Sequence, residues 1–79
     1  MRDEIIEKII ERGSYLWGKE AAELNENTTF AEVNAKSGHI SSITTFLEDE
    51  YDCEVPYIGF KKCKNIGEAA DYVAALLEE

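Results

Sequence analysis

The sequence predicts an all-α fold, a small four-helix bundle with three longer helices and one short helix. Apolar residues recur at three- and four-residue intervals in three segments, and no pair of alternating segments flanks a tight hairpin turn. The chain has 79 residues, of which 44% are apolar. Ordering it costs about 120 kcal/mol, at about 1.5 kcal/mol per residue, so nearly every apolar side chain must be buried. We therefore expect one domain covering residues 1–79.

The first predicted helix occupies the opening segment of the chain. Asp3 is expected to cap its start, because a short polar side chain there can accept a backbone N–H bond. Gly13 interrupts the apolar pattern, and Gly18 is expected to end the helix. The apolar face comprises Ile5, Ile6, Ile9, Ile10, Leu16 and Trp17.

A polar segment from Lys19 to Lys36 separates the first two predicted helices. Leu24, Phe30 and Val33 are spaced as anchors that attach this segment to the core, and residues 21–24 can form a short helical turn. Long loops in compact domains are usually either packed or functional. We therefore expect this loop to contribute to the core.

The second predicted helix runs from Ser37 to Tyr51. Ser37 stands immediately before the apolar period, where its hydroxyl is expected to act as the N-cap. Three adjacent acids at 48–50 cannot all face a core, so they form a solvated or partner-facing surface. Pro56 is expected to end this helical element, because the residue before a proline is displaced from helical geometry. The apolar positions of the helix are Ile40, Ile43, Phe46 and Leu47.

The last part of the chain predicts a short helix followed by a longer one. Residues 60–64 have room for one or two helical turns. Asn65 is expected to cap the final helix, with Glu68 three residues later in capping-box spacing. Its apolar face comprises Ile66, Ala69, Ala70, Val73, Leu76 and Leu77.

Charge and composition exclude several classes of function. Seventeen acidic and eight basic residues give a net charge of −9, which argues against nucleic-acid binding and against docking on anionic membranes. This charge favours partners with basic patches. The chain has no apolar run long enough to span a membrane, and its first four residues lack the features of a signal peptide. We expect a cytoplasmic monomer that does not insert into membranes.

The residues that could support metal binding or catalysis do not form a recognisable site. Cys53 and Cys63 do not have zinc-site spacing, and His39 is the only histidine, so we expect free buried thiols. An EF-hand starting at Glu48 would place cysteine where glycine is needed and Gly59 where a bidentate glutamate is needed. No nucleophile–base pair is present, so we do not expect an enzyme.

Two passages of the second half carry a family resemblance. Residues 46–56 read Phe-Leu-Glu-Asp-Glu-Tyr-Asp-Cys-Glu-Val-Pro, and residues 66–73 read Ile-Gly-Glu-Ala-Ala-Asp-Tyr-Val. The first resembles the acidic end of the second helix of acyl carrier proteins, and the second resembles the start of their fourth helix. Residues 30–32, Phe-Ala-Glu, are similar to the piece that precedes the carrier site. The resemblance spans most of the chain.

The resemblance implies a covalent cofactor on one serine. In the family, a phosphopantetheinyl transferase attaches 4′-phosphopantetheine from coenzyme A to a serine at the start of the second helix, usually within Asp-Ser-Leu. Counting back from Leu47 places that serine at Ser37, where the local sequence is Lys36-Ser37-Gly38. The arm would hold acyl intermediates as thioesters for fatty-acid, polyketide or related specialised synthesis. Ser41 and Ser42 are rival attachment candidates inside the helix.

The physical chemistry of Ser37 is compatible with this assignment. A hydroxyl at a helix N-terminus places a phosphodiester against unpaired N–H groups and the positive end of the helix dipole. Lys36 would add a nearby cation, and Gly38 would leave the backbone open to a transferase. On spacing alone, a simple N-cap is the better explanation of Ser37, and it is the family resemblance that favours attachment. His39 is expected to be exposed beside the arm.

The resemblance also implies two further sets of residues. The acidic surface that would meet basic patches on acyl-processing enzymes is Glu48, Asp49, Asp52 and Glu54. The pocket that would shelter acyl chains is lined by Ile43, Phe46, Leu47, Phe60 and Ile66. The acids can also be a solvated face, and the apolar set can also be plain core.

A basic group and one alternative function remain open. Lys61, Lys62 and Lys64 stand close together in a mainly acidic chain, where they can pair with nearby carboxylates or meet a specialised partner. The replacement of aspartate by Lys36 and of leucine by Gly38 supports a different interpretation. In that interpretation the chain is an unmodified acidic protein-interaction module on a carrier fold.

Overall fold

The computed structural model describes residues 1–78 and is all-helical. Its elements in chain order are α1 (Arg2–Trp17), a 3-10 turn (Ala21–Glu23), α2 (Ser37–Tyr51), α3 (Tyr57–Lys61) and α4 (Ile66–Leu77). Residues 1–78 contain no strand, and one isolated bridge joins Thr29 to Asn65. The predicted small helical bundle, with three longer helices and one short helix, is confirmed.

The ends of α1 follow the sequence pattern only in part. The helix begins at Arg2 with Met1 as its N-cap, so the prediction that Asp3 caps it is wrong. Asp3 instead lies in the first turn, where a carboxylate interacts favourably with the helix dipole. Gly18 ends the helix in the left-handed conformation, with φ of 64°, as predicted. Gly13 does not interrupt the helix, and the Trp17 ring occupies the space that a side chain at position 13 would need.

The short helix α3 begins earlier than predicted. It starts at Tyr57, directly after Pro56, and ends at Lys61, whereas the sequence pattern indicated residues 60–64. Pro56 has φ of −59°, which is compatible with a helix start, and its carbonyl accepts the Phe60 N–H at 3.2 Å. Phe60 is thus the buried residue within α3 rather than its first residue. Pro56 is therefore the N-cap of α3.

The predicted start of α4 is confirmed. Asn65 is the N-cap, and its side-chain oxygen accepts the Glu68 N–H at 2.8 Å. The Glu68 carboxylate accepts the backbone N–H of Lys64 at 2.9 Å, so both side chains stabilise the same turn.

The long loop contributes to the core, as the sequence indicated. Leu24 and Phe30 are buried, and Val33 is half-buried against the core. The Phe30 ring lies 6.1 Å from the Trp17 ring and 5.9 Å from the Phe60 ring, measured between centroids. The Phe30 N–H also donates to the Lys64 carbonyl at 3.0 Å. The loop is therefore held by ring packing and by backbone hydrogen bonds.

Four helices supply the remaining core. α1 packs against α2 and α4, and α3 bridges α2 and α4. Burial of each large side chain contributes about 1.5–3 kcal/mol. The largest fully buried side chains are Phe60, Ile5, Ile9, Ile43, Leu47, Ile66, Val55 and Val73. None of the helices in the described part of the chain is long and apolar enough to cross a membrane.

Candidate functional site

Ser37 is the first residue of α2 and is exposed to solvent. The prediction that it is the N-cap is wrong, because Lys36 occupies that position in an extended conformation. The first helical hydrogen bond runs from the Ile40 N–H to the Lys36 carbonyl at 3.1 Å. The amides of Ser37 and Gly38 precede this bond, where helix N–H groups have no acceptor within the helix. Ser37 thus stands at the end of α2 where backbone N–H groups are available to an anion.

His39 closes the turn that carries Ser37. Its Nδ1 accepts the Lys36 N–H at 3.1 Å, which leaves the ring proton on Nε2. The side chain is half-buried rather than exposed, so that expectation is wrong. The reason is that the imidazole folds back over the first turn to take the place of the usual capping side chain. His39 therefore helps to position the backbone at Ser37.

Gly38 is exposed, and neither packing nor backbone conformation requires a glycine there. A Cβ built at this position meets no atom within 4 Å, and φ is not positive. Because a larger residue would fit without strain, the glycine only reduces the bulk of the surface beside the hydroxyl.

A groove opens next to Ser37 between α2 and α3. Its volume is about 180 Å³, smaller than most small-molecule pockets. Its apolar wall is formed by Phe30, Ile40 and Tyr57. Lys36 and Lys61 also line it. The groove therefore combines this apolar wall with two lysine side chains, in the same groove as the serine.

Most of the groove residues were not predicted as site residues. Ile40, Tyr57 and Lys61 line it, and the position of Ile40, three residues after Ser37, was one usable signal in the sequence. Tyr57 was missed because α3 was expected to begin three residues later. Its position directly after Pro56 is the signal that could have identified it.

The predicted apolar pocket residues occupy two different environments. Ile43, Leu47, Phe60 and Ile66 have no exposed surface, so they form closed core. Phe46 is half-buried on the side of α2 that faces α1, and the Arg12 guanidinium lies 4.7 Å from its ring centroid. Phe46 therefore lies at the edge of the core that contains the other four residues, and the groove beside Ser37 includes none of the five.

The predicted acidic surface also divides into two parts. Glu48 accepts the buried Val55 N–H at 2.9 Å and so fixes the loop between α2 and α3. Asp49, Asp52 and Glu54 are exposed. Asp52 ends α2 in the left-handed conformation, with φ of 50°. Three of the four acids are thus displayed to solvent.

The rival serines and the two thiols are placed as follows. Ser41 and Ser42 lie inside α2, as predicted. Cys53 and Cys63 are free, and both are half-buried rather than buried. The pKa of the Cys63 thiol is raised mainly by burial and, to a smaller extent, by the negative charges of Glu68 and Asp71.

Acidic side chains do not converge into a cation site. Within residues 1–78, no three of the histidine, cysteine, aspartate and glutamate side chains are placed to hold one metal ion together. The three acids at the end of α2 diverge: Glu48 turns to the loop, Asp49 to solvent, and Glu50 to Lys8 of α1.

Comparison with known proteins identifies the family. The acyl carrier protein of Chlamydia felis (strain Fe/C-56) is 32% identical to this chain over 57 residues, which cover 71% of the chain and 73% of that relative. No family model matches the chain. The identity, its extent and the helical bundle agree with the resemblance seen in the sequence. The chain belongs to the acyl carrier protein family.

Proposed function

We propose that this protein carries acyl groups on a 4′-phosphopantetheine arm attached to Ser37. The observation that supports this most directly is an exposed serine at the first position of a 15-residue helix, beside an open groove. When bound, the arm supplies a terminal thiol that holds an acyl group as a thioester. The chain itself contributes attachment, orientation and partner recognition.

The residues around Ser37 suit the negative charge of such an arm. The phosphodiester would lie against the amides of Ser37 and Gly38 at the positive end of α2. Lys36 and Lys61, which both line the groove, would provide two cations. Ile40 and Tyr57 would contact the apolar part of the arm. Because the groove is small and Ile43, Leu47, Phe60 and Ile66 are closed core, a long acyl chain would require these helices to separate.

Mass measurement after enzymatic loading tests the attachment. The protein is incubated with coenzyme A and a phosphopantetheinyl transferase of broad specificity. We expect the mass of one arm to be added to the wild type and to Ser41→Ala, and none to Ser37→Ala. Ser41 is the matched control because it is an exposed serine on the same helix. Absence of any gain in the wild type, or an equal gain in Ser37→Ala, would contradict the proposal.

Partner recognition is proposed for the exposed acids at the end of α2. Asp49, Asp52 and Glu54 would meet basic groups on the transferase and on acyl-processing enzymes. Changing all three to their amides is expected to reduce kcat/KM for loading, most strongly at low ionic strength. The same triple change at Asp3, Glu7 and Glu11 of α1, which are also exposed, is the control. Equal losses in both variants would indicate a general effect of net charge.

The residues flanking Ser37 favour a second candidate function. Lys36 and Gly38 replace the aspartate and leucine usual in the family, which is consistent with an unmodified protein-interaction module. This candidate predicts that protein purified from its own host carries no arm but still binds a basic partner in a salt-dependent way. Intact-mass measurement of the host-purified protein distinguishes the two functions.

A further inference from the structure

One face of α3 displays an apolar side chain beside lysines. Ile58 is 60% exposed, and Lys61 and Lys62 follow it at helical spacing, so they share its face. The opposite face is fixed against the protein: Phe60 is fully buried, and the Tyr72 side chain of α4 covers Gly59. The exposure of Ile58 is therefore a consequence of how α3 packs.

The lysines of this region are not neutralised by the acids of the chain. Within residues 1–78, the ion pairs are made by Arg2 and Lys8, and none involves Lys61, Lys62 or Lys64. Lys61 Nζ lies 5.9 Å from the centroid of the Tyr57 ring. Pairing of these lysines with nearby carboxylates is thus not observed. A local positive surface persists in a chain with a net charge of −9.

The position of this face connects it to Ser37. Tyr57 and Lys61 line the same groove as the serine, so an enzyme acting at Ser37 lies against α3. The loop that leads into α3 carries the exposed acids Asp52 and Glu54. Along the chain, the exposed side chains therefore change from acidic, through apolar Ile58, to basic Lys61 and Lys62.

We infer that the enzymes acting at Ser37 in the host dock on this α3 face through acidic side chains that surround a small apolar pocket for Ile58. This inference rests on the proposed carrier function and specifies its partner class. Basic groups on the same enzymes meet Asp52 and Glu54. A partner with a uniformly basic docking surface is disfavoured, because it places like charges opposite Lys61 and Lys62.

A protein partner explains the surface better than a membrane or a second copy of the chain. An anionic bilayer would attract the lysines but repel the neighbouring acids, and Ile58 is the only large apolar side chain that α3 exposes among the described residues. A second copy would bring another net charge of −9 to the contact. A protein surface that carries basic, apolar and acidic groups can contact the acids, Ile58 and the lysines together.

The test compares binding to two transferases in the Ser37→Ala background, which prevents modification and leaves the surface intact. One is the transferase of the host, and the other is a broad-specificity transferase with a basic docking surface. We expect Lys62→Glu to weaken binding to the host enzyme roughly five-fold and to strengthen binding to the other by a similar factor. Ile58→Ser should weaken only the former. Lys19→Glu, at another exposed lysine, is the matched control.

The outcomes separate this inference from the proposed function. Loading of Ser37 together with equal effects of Lys62→Glu and Lys19→Glu would overturn the inference and leave the carrier function standing. Absence of loading in the wild type would contradict the carrier function and the inference with it, whatever the binding measurements give. Binding to vesicles containing 30% phosphatidylglycerol, or dimerisation, that is lost in Lys62→Glu would overturn the inference in favour of those occupants.

Discussion

The two ends of α2 are held in different ways. At its C-terminal end, Glu50 pairs with Lys8, Tyr51 donates to Glu4 at 2.8 Å, and Glu48 accepts the N–H of Val55. At its N-terminal end, Ser37 is exposed beside an open groove. The C-terminal end is fixed to α1 and to the following loop by side-chain contacts, whereas the N-terminal end is held by its own turn and stays accessible to solvent.

The largest expected difference between the two ends is in core packing. Leu47→Ala, near the fixed end, is expected to lower the free energy of unfolding by about 2–5 kcal/mol, because it leaves a closed cavity. Ile40→Ala should cost about half as much, since Ile40 lines the open groove. Urea unfolding of both variants measures the difference. A larger cost for Ile40→Ala would contradict the view that the N-terminal end is the less tightly packed one.

A smaller effect is expected from the hydrogen bond that fixes the loop after α2. Glu48→Ala should lower the free energy of unfolding by about 1–2 kcal/mol, because the buried Val55 N–H loses its acceptor. Asp49→Ala, one residue away and exposed, is expected to change it by less than about 0.5 kcal/mol. Thermal unfolding of the two variants tests this. Equal effects would show that Glu48 acts only as a surface charge.

Alkaline pH is expected to lower the stability of the fold through two groups, the Tyr51 hydroxyl at the end of α2 and the Cys63 thiol after α3. Burial, followed by the hydrogen bond to Glu4, raises the pKa of Tyr51, and burial raises the pKa of Cys63. Both groups therefore lose their protons more readily in the unfolded chain, from ordinary pKa values of 10.0 and 9.0. The stability that the protonated groups contribute is therefore fully present below about pH 8 and is lost as the pH rises above about 9.

Unfolding midpoints measured between pH 7 and pH 11 test this expectation. The decline should be shallower in Tyr51→Phe and in Cys63→Ala than in the wild type. Tyr15→Phe, at an exposed tyrosine, is the control. A decline as steep in both variants as in the wild type would rule out these two groups as its cause.

The smallest effect on stability is expected beside Ser37. Gly38→Leu should change the free energy of unfolding by less than about 0.5 kcal/mol, because a side chain there enters open space. Gly59→Ala is the contrasting variant, since its Cβ would collide with the Tyr72 ring unless that ring moved. Thermal unfolding compares them. A large loss in Gly38→Leu would show that the N-terminal end is more constrained than its exposure indicates.

Sequence reasoning succeeded where the signal was local. The bounds of α2, the end of α1 at Gly18 and the cap at Asn65 were predicted from periodicity and from residue types with strong conformational preferences. Sequence reasoning was less successful for the bounds of a short helix and for a cap that more than one residue could provide. α3 spans Tyr57–Lys61, too few residues for periodicity to locate, and Lys36 with His39 replaced the expected cap at Ser37.

The candidate site was predicted only in part for a related reason. Counting along the chain located Ser37 at the start of α2, because helix position is a property of nearby residues. The groove depends on Phe30 and Tyr57, which lie in different segments and meet only after packing. The same is true of Glu48, whose contact with Val55 removes it from the free acidic surface.

The amino-acid sequence by itself determined the helical class, the residues available for the core, the excess of negative charge and the serine at the start of α2. Each of these follows from composition or from spacing within one helix. Tertiary structure alone decided which acids are engaged, which lysines stay unpaired, and where the groove beside Ser37 opens. Those outcomes depend on contacts between segments far apart in the chain, and such contacts are set by how the helices pack.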